Sequence, residues 1–92
     1  MDKFMLETPA EINASLAQRV KRIRKRRKIT QKQLAQRSNV SYGALKKFEQ
    51  TGEISLLSLT KIAMELGLDK EIKSLFTAPV YLSIEEVIND EK

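Results

Sequence analysis

Two side chains that carry much of protein chemistry are missing from this sequence. It has no cysteine, so it can form neither a disulfide framework nor a thiolate metal site. It has no histidine either, which removes the most common general base and metal ligand. The sequence also contains no glycine-rich phosphate loop and no carboxylate cluster in a predicted pocket. We therefore expect no enzymatic activity, no bound metal and no cofactor.

Glycine, proline and aromatic residues are scarce, since the 92 residues include three glycines, two prolines and 5% aromatics, whereas 32% are charged. This composition favours helices. No apolar run approaches the roughly 18 residues that a membrane span needs. The N-terminus has no basic region followed by an apolar one, so no signal peptide is predicted. We expect one small, all-α, cytoplasmic domain without membrane association.

Acidic residues are absent from a long central part of the chain. Between Ile12 and Phe48 there are twelve lysines and arginines and no aspartate or glutamate, whereas the remaining residues hold five bases and twelve acids. We call residues 12–48 the basic belt. Its densest part, from Arg19 to Lys28, is basic at eight of ten positions. Such a charge distribution indicates a phosphate-rich partner, nucleic acid first of all, although a charge run alone can equally be a solvated helix face.

Helix-start signals divide the sequence into five predicted helices. Thr8 to Glu11 and Thr30 to Gln33 each have the pattern of a capping box. Ser41 and Ser55 are the predicted N-caps of the third and fourth helices. Asn39 is expected to end the second helix because asparagine tolerates the left-handed conformation.

The remaining helix ends and the core follow from the apolar spacing. The first helix should end near Lys28, the third near Thr51 and Gly52, and the fourth at Gly67, after which Asp69 should cap the fifth. The residues predicted to face the core are Ile12, Leu16, Val20 and Ile23 in the first helix, Leu45 and Phe48 in the third, some of Leu56, Leu57, Leu59, Ile62, Ala63 and Leu66 in the fourth, and Ile72, Leu75 and Phe76 in the fifth.

The predicted domain boundaries follow these helices. Residues 1–8 form an N-terminal extension, residues 9–77 a compact domain and residues 78–92 a C-terminal arm. Pro79 prevents the fifth helix from continuing into the arm. Because the arm combines apolar residues with four acids, we expect it to contact protein rather than DNA. A dimerisation or packing arm and a segment that docks a partner are both open interpretations.

The stretch from Thr30 to Phe48 has the length of two short helices joined by a tight turn, which is the spacing of a helix-turn-helix. Four motifs in register make the likeness specific: Thr30-Gln31-x-x-Leu34-Ala35, Val40-Ser41, Phe48-Glu49-x-x-Gly52 and Leu59-x-x-Ile62-Ala63-x-x-Leu66-Gly67. The chain resembles the phage-repressor-type (XRE) helix-turn-helix family over about residues 16–76. The resemblance implies a compact five-helix, phage-repressor-like domain that binds double-stranded operator DNA as a homodimer and represses transcription.

The resemblance also implies roles for individual residues. Gln31 and Ser41 match phosphate-contacting positions, and Thr51 lies in a loop that contacts the neighbouring phosphate. The face read against base edges matches Tyr42, Gly43, Lys46 and Lys47. Related repressors often have a polar side chain where this chain has Gly43, so we expect Lys47, or Tyr42 through a thymine methyl, to supply discrimination. The alternatives are burial for Tyr42 and an ordinary exposed helix face for Lys46 and Lys47.

A structural ion pair is the last feature that the resemblance implies. It joins Arg24 of the first helix to Glu49 of the recognition helix, and we interpret it as an internal strut. A surface pair that contributes well under about 1 kcal/mol is the alternative.

Two further interpretations of the function stay open. An RNA-binding protein could use the arginine- and lysine-rich helix, although the helix-turn-helix would then have no role. Residues 48–56, the small size and the short arm are also similar to antitoxin-like regulators that accompany HipA-type kinase toxins. That likeness implies a toxin protein partner and a self-regulated toxin–antitoxin operon.

Overall fold

The five predicted helices are all present in a computed structural model, which describes residues 7–79. They are α1 (Pro9–Arg26), α2 (Gln31–Ser38), α3 (Tyr42–Thr51), α4 (Leu56–Glu65) and α5 (Asp69–Lys73). No strand occurs in this range, so the all-α prediction is confirmed. None of these helices combines the length and the apolar character that a membrane crossing requires. The N-terminal extension up to residue 6 and the arm from residue 80 onward lie outside the described residues.

Both predicted capping boxes are formed. Thr8 Oγ1 accepts a hydrogen bond from the Glu11 amide at 3.1 Å, and Glu11 Oε1 accepts one from the Thr8 amide at 2.9 Å. Thr30 and Gln33 make the same reciprocal pair at the start of α2, again at 3.1 and 2.9 Å. Ser41 caps α3 as predicted, and Ser55 caps α4 in the same way. Each cap satisfies amides that the helix itself leaves unpaired, so these residues fix where the helices begin.

A residue with positive φ lies at the C-cap or directly after it in each of the first four helices. Asn39 closes α2 with φ at 59°, as predicted. Lys28 also adopts a positive φ, of 58°, and α1 therefore ends at Arg26, slightly before the predicted end. Gly52 ends α3 with φ at 85°, and a Cβ atom there would lie 2.6 Å from the carbonyl carbon of Asn13 in α1. Only glycine fits this position, because it combines a positive φ with close contact to another backbone.

The core holds α3 against the rest of the domain. α1 packs mainly against α3, while α2 packs against both α3 and α4. The buried residues form one cluster that consists of Ala17, Val20, Leu34, Ala35, Val40, Leu45, Phe48, Ile62 and Leu66. Since all four of the longer helices contribute to this cluster, the orientation of α3 depends on the whole domain rather than on α2 alone.

The predictions for α5 were wrong in two respects. Asp69 does not cap the helix, because Leu68 occupies the N-cap position and no side chain caps the first turn. Leu75 is 51% exposed and Phe76 is 96% exposed, although both were predicted to face the core. The physical reason is that α5 ends at Lys73, so the following residues leave the core, and Phe76 adopts a positive φ of 63°.

Ile12 and Leu16 near the start of α1 are also exposed, contrary to the prediction, whereas the exposure of Leu56 and Leu57 agrees with the prediction that only some of the apolar residues of α4 are buried. Ile12 and Leu16 precede Ala17, the first buried residue of α1. Leu16 instead borders an apolar groove of about 140 Å³ between α1, α4 and α5. Leu56 and Leu57 lie in the first turn of α4, ahead of its inward-facing residues, and are 70% and 65% exposed.

Candidate nucleic-acid interface

α3 has one buried face and one exposed face. Its buried residues are Leu45, Phe48 and Glu49. The four positions predicted to face base edges lie on the other side, where Tyr42, Gly43, Lys46 and Lys47 are exposed. Because residues four apart are neighbours on a helix, positions 42 and 46 form one row and positions 43 and 47 the adjacent row. The structure therefore brings the four predicted positions together in one surface.

Gly43 leaves the first turn of α3 without a side chain on this surface. A Cβ atom at this position would meet no other atom within 4 Å, and the backbone does not need a positive φ there. The fold therefore does not require glycine at position 43. Because glycine has no side chain, a partner can approach the backbone of α3 closely at this turn.

The hydroxyl groups of Ser41 and Thr51 differ in what they can still offer a partner. Ser41 Oγ accepts a hydrogen bond from the Ala44 amide at 3.0 Å, which leaves its proton to be donated. Thr51 Oγ1 donates to the Lys47 carbonyl at 2.8 Å and accepts from the Glu53 amide at 3.1 Å. The Thr51 hydroxyl thus shapes the loop after α3, whereas the Ser41 hydroxyl can both cap α3 and donate to a phosphate.

Gln31 lies at the first position of α2 and is held by α3. Its Nε2 donates to Glu49 Oε1 at 2.8 Å, a contact that sequence reasoning did not anticipate. The backbone amide of Gln31 belongs to the first turn, where no intrahelical acceptor exists and the helix dipole favours anions. One proton of the carboxamide therefore positions the side chain, while its other proton and the backbone amide can face a phosphate.

Arg24 connects α1 with both helices of the helix-turn-helix. Its Nε donates to Glu49 Oε2 at 2.7 Å and its Nη2 donates to Glu49 Oε1 at 2.9 Å, which gives a bidentate pair. Its Nη1 donates to the Ile29 carbonyl at 2.7 Å, directly before the cap of α2. Arg24 is only 7% exposed and Glu49 only 2%, so the pair is buried and is not a solvated surface contact.

Glu49 stays ionised in this environment. Burial raises the pKa of its carboxyl group, because a charged form is costly away from water. The hydrogen bonds from Arg24 and Gln31, together with the positive charges of Arg24 and Lys21, lower that pKa by more. The net pKa of Glu49 therefore lies below the ordinary value for glutamate, and the ion pair is maintained at neutral pH.

The exposed cations of α3 have different neighbours. Lys47 Nζ lies 3.1 Å from Glu53 Oε1, and both side chains are well exposed. Tyr42 is 39% exposed rather than buried. The Lys32 and Lys46 ammonium groups lie 5.5 and 5.8 Å from the centre of its ring, within the range of cation–π interactions.

The basic run at the end of α1 divides into structural and exposed cations. Arg24 is buried in the ion pair, and Arg27 donates to the Leu66 carbonyl at the end of α4. Most of the other bases between Arg19 and Lys28 are exposed. Sequence reasoning missed the role of Arg27, since only the unsatisfied carbonyls at a helix C-terminus could have suggested such a partner.

Comparison with known families agrees with this geometry. The helix-turn-helix family model matches residues 20–72, more than half of the chain, and the matched range includes all of α2, α3 and α4. A search among curated proteins found no match. The matched range also contains the Arg24–Glu49 pair and every position predicted to contact DNA. This chain belongs to the helix-turn-helix family of the phage-repressor (XRE) type, whose members are DNA-binding transcription regulators.

Proposed function

We propose that this protein is a sequence-specific transcriptional repressor that binds duplex operator DNA in the cytoplasm. The exposed face of α3 is the observation that carries the proposal, because a buried ion pair and the core hold that face in a fixed orientation. An exposed helix of this size suits the major groove, where each base pair presents a distinct pattern of donors and acceptors. Repression then follows from occupation of the site.

The proposed contacts are of two kinds: contacts that position the protein on the DNA and contacts that recognise the bases. Gln31, Ser41 and the loop that the Thr51 hydroxyl shapes position the protein through phosphates, which carry no sequence information. Lys47 and Tyr42 carry the sequence preference, and Gly43 lets the α3 backbone come close to the bases. The exposed cations of the basic belt add affinity that falls with salt, because each neutralised phosphate releases counterions.

A homodimer is part of this proposal. One short recognition helix reaches too few base pairs to select a single site in a genome. Two copies related by a two-fold axis would present two α3 helices to half-sites about one DNA turn apart. The operator is therefore expected to be a palindrome or close to one.

The test begins with selection of a preferred duplex from a random pool, followed by titration against a scrambled duplex of equal composition. Lys47→Ala should narrow the difference in binding free energy between the two duplexes by about 1–3 kcal/mol for each base pair that Lys47 reads. Gln31→Ala should weaken both duplexes alike. Lys70→Ala, which removes one exposed charge from α5, is the matched control. It should change neither the affinity for each duplex nor the difference between the two duplexes appreciably.

Two outcomes would contradict the proposal. Failure of the selection to enrich any sequence would remove the claim of specificity, and tighter binding to structured RNA than to any duplex would favour the RNA-binding alternative. If Lys47→Ala weakened binding to both duplexes equally while Gln31→Ala abolished the sequence preference, the proposal that α3 reads the bases would be wrong.

We further propose that this regulator is the antitoxin of a toxin–antitoxin operon and that its protein partner is a HipA-type kinase toxin. The specific observation is the exposed apolar pair Leu56 and Leu57, within or beside the segment that resembles antitoxins. A Leu56→Glu, Leu57→Glu variant should lose the partner encoded by the neighbouring gene while its DNA binding is retained. Met64→Glu, at another exposed position of α4, is the control. Retained partner binding by the double variant would exclude this surface.

A further inference from the structure

The α2–α3 junction contains a cluster of two lysines around one aromatic ring. Lys32 belongs to α2, whereas Tyr42 and Lys46 belong to α3. The two ammonium groups lie 5.5 and 5.8 Å from the centre of the Tyr42 ring. The family resemblance gave Lys32 no role, although it lies next to Gln31 in the first turn of α2.

The charges at this cluster are not balanced within the described part of the chain. Lys47 has Glu53 as a carboxylate partner, but no described carboxylate forms an ion pair with Lys32 or Lys46. The first turn of α2 contains no acid, and that of α3 contains none either. A cation in a first turn is disfavoured by the helix dipole, so the position of Lys32 costs the free domain stability rather than adding to it.

A bound anion would offset the unfavourable position of Lys32 and the uncompensated positive charge of the cluster. Two lysines held near one ring can share a single anionic group or contact two adjacent ones, and the ring attracts both ammonium groups through its negative face. Because lysine side chains are long and mobile, this attraction restricts them before the anion arrives. The surrounding surface is the proposed DNA-binding face, where the anion available is a backbone phosphate.

We propose that Lys32, Tyr42 and Lys46 form a binding site for the DNA phosphate backbone, in which the Tyr42 ring positions the two lysines. This proposal rests on the proposed DNA-binding function and gives Lys32 and Lys46, two of the exposed cations of the basic belt, a defined site. The Tyr42 side chain stays 39% exposed beside the two lysines, so the site is compatible with the reading role of Tyr42. The ligand class is a phosphodiester, and no base sequence is read by the lysines.

The first part of the test measures the salt dependence of binding to the selected and scrambled duplexes. Lys32→Ala should weaken both duplexes equally and reduce the log–log salt slope by about 0.9 for each phosphate that is no longer neutralised, or about 1.8 for a dimer. Lys32→Arg keeps the charge and should retain most of the slope. Lys70→Ala is the control for removal of a charge outside the site, and an effect of Lys32→Ala no larger than that of Lys70→Ala would overturn the proposal.

The second part tests the ring. Tyr42→Phe keeps the aromatic face and Tyr42→Leu removes it, and both replace an exposed side chain, so the fold should persist. The factor by which Lys32→Ala weakens binding should be unchanged in the Tyr42→Phe background and clearly smaller in the Tyr42→Leu background. An equal factor in both backgrounds would overturn the positioning role of the ring. If the unsubstituted protein bound no duplex at all, the proposed function itself would fail, and that outcome is distinct from either result above.

Discussion

Separating Arg24 from Glu49 should destabilise the domain strongly. The guanidinium makes two hydrogen bonds to the carboxylate and one to the Ile29 carbonyl, and the pair is almost fully shielded from water. Removing one partner leaves a buried charge without compensation, which typically costs about 3–5 kcal/mol. A small domain has about 5–15 kcal/mol of total stability, so either single alanine substitution should remove a large part of it.

The assay is urea unfolding of the wild type, Arg24→Ala, Glu49→Ala and the double variant. The coupling free energy is the difference between the double effect and the sum of the single effects, and for residues in one network it lies at about 0.5–3 kcal/mol. Arg24→Lys adds a further comparison, because it keeps the charge but loses the bidentate geometry. We expect Arg24→Lys to be less stable than the wild type but more stable than Arg24→Ala, because the Glu49 carboxylate keeps a charged partner.

A second ion pair in the same protein provides the control. Lys47 and Glu53 are also within contact distance, at 3.1 Å, but both are exposed. Their coupling should be about 0.2–1 kcal/mol and should decrease with salt. If the Arg24–Glu49 cycle gave no more coupling than this exposed pair, the conclusion that burial makes it a strut would be refuted. If the single alanine variants do not fold, a folded Arg24→Met, Glu49→Met double variant would show that the loss comes from the unpaired buried charge.

Three single features of the molecule lead to further predictions. Because the pKa of Glu49 is lowered in the folded state, its ionised form stabilises the fold fully above the unfolded-state pKa of about 4.3. This stabilisation is lost as the pH falls through the folded-state pKa. The stability advantage of wild type over Glu49→Gln should therefore shrink on acidification. Urea midpoints measured against pH test this, and an advantage independent of pH would contradict it. Gly52→Ala should destabilise the domain more than Gly67→Ala, since both glycines have a positive φ but only the first meets the α1 backbone; equal melting temperatures would exclude the proposed close contact. Truncation after Thr77 should change the oligomeric state or partner binding, whereas unchanged sedimentation and partner binding would show that the arm is dispensable.

The features that the sequence predicted well are those whose cause is local. A capping box needs only residues three apart, so the boxes at Thr8 and Thr30 could be identified without knowledge of the fold. The left-handed residue Asn39 and the cap Ser41 depend on the same short range. The register of motifs across residues 16–76 then implied the family, and the family placed Arg24 opposite Glu49.

The features that the sequence did not predict depend on which helices lie next to each other in the fold. Leu75 and Phe76 continue the apolar pattern of the chain, but a helix of five residues cannot turn them toward the core. The contact of Lys32 with Tyr42 requires the start of α2 to lie beside the start of α3, which periodicity cannot reveal. The contact of Gln31 with Glu49 is non-local in the same sense, since it joins the first residue of α2 to the buried face of α3.

The hydrogen bonds of Glu49 connect α3, the proposed reading helix, with Gln31, a proposed phosphate contact. Glu49 belongs to α3, yet it accepts hydrogen bonds from Gln31 at the start of α2 and from Arg24 in α1. A phosphate bound at the start of α2 would therefore fix α3 through only one intervening side chain. The charge distribution agrees with this arrangement, because Glu49 is the first acid after the basic belt and its charge is used internally rather than facing the phosphates. If Gln31 contacts a phosphate as proposed, Glu49 should matter for specificity as well as for stability, because it holds the Gln31 side chain that would position α3.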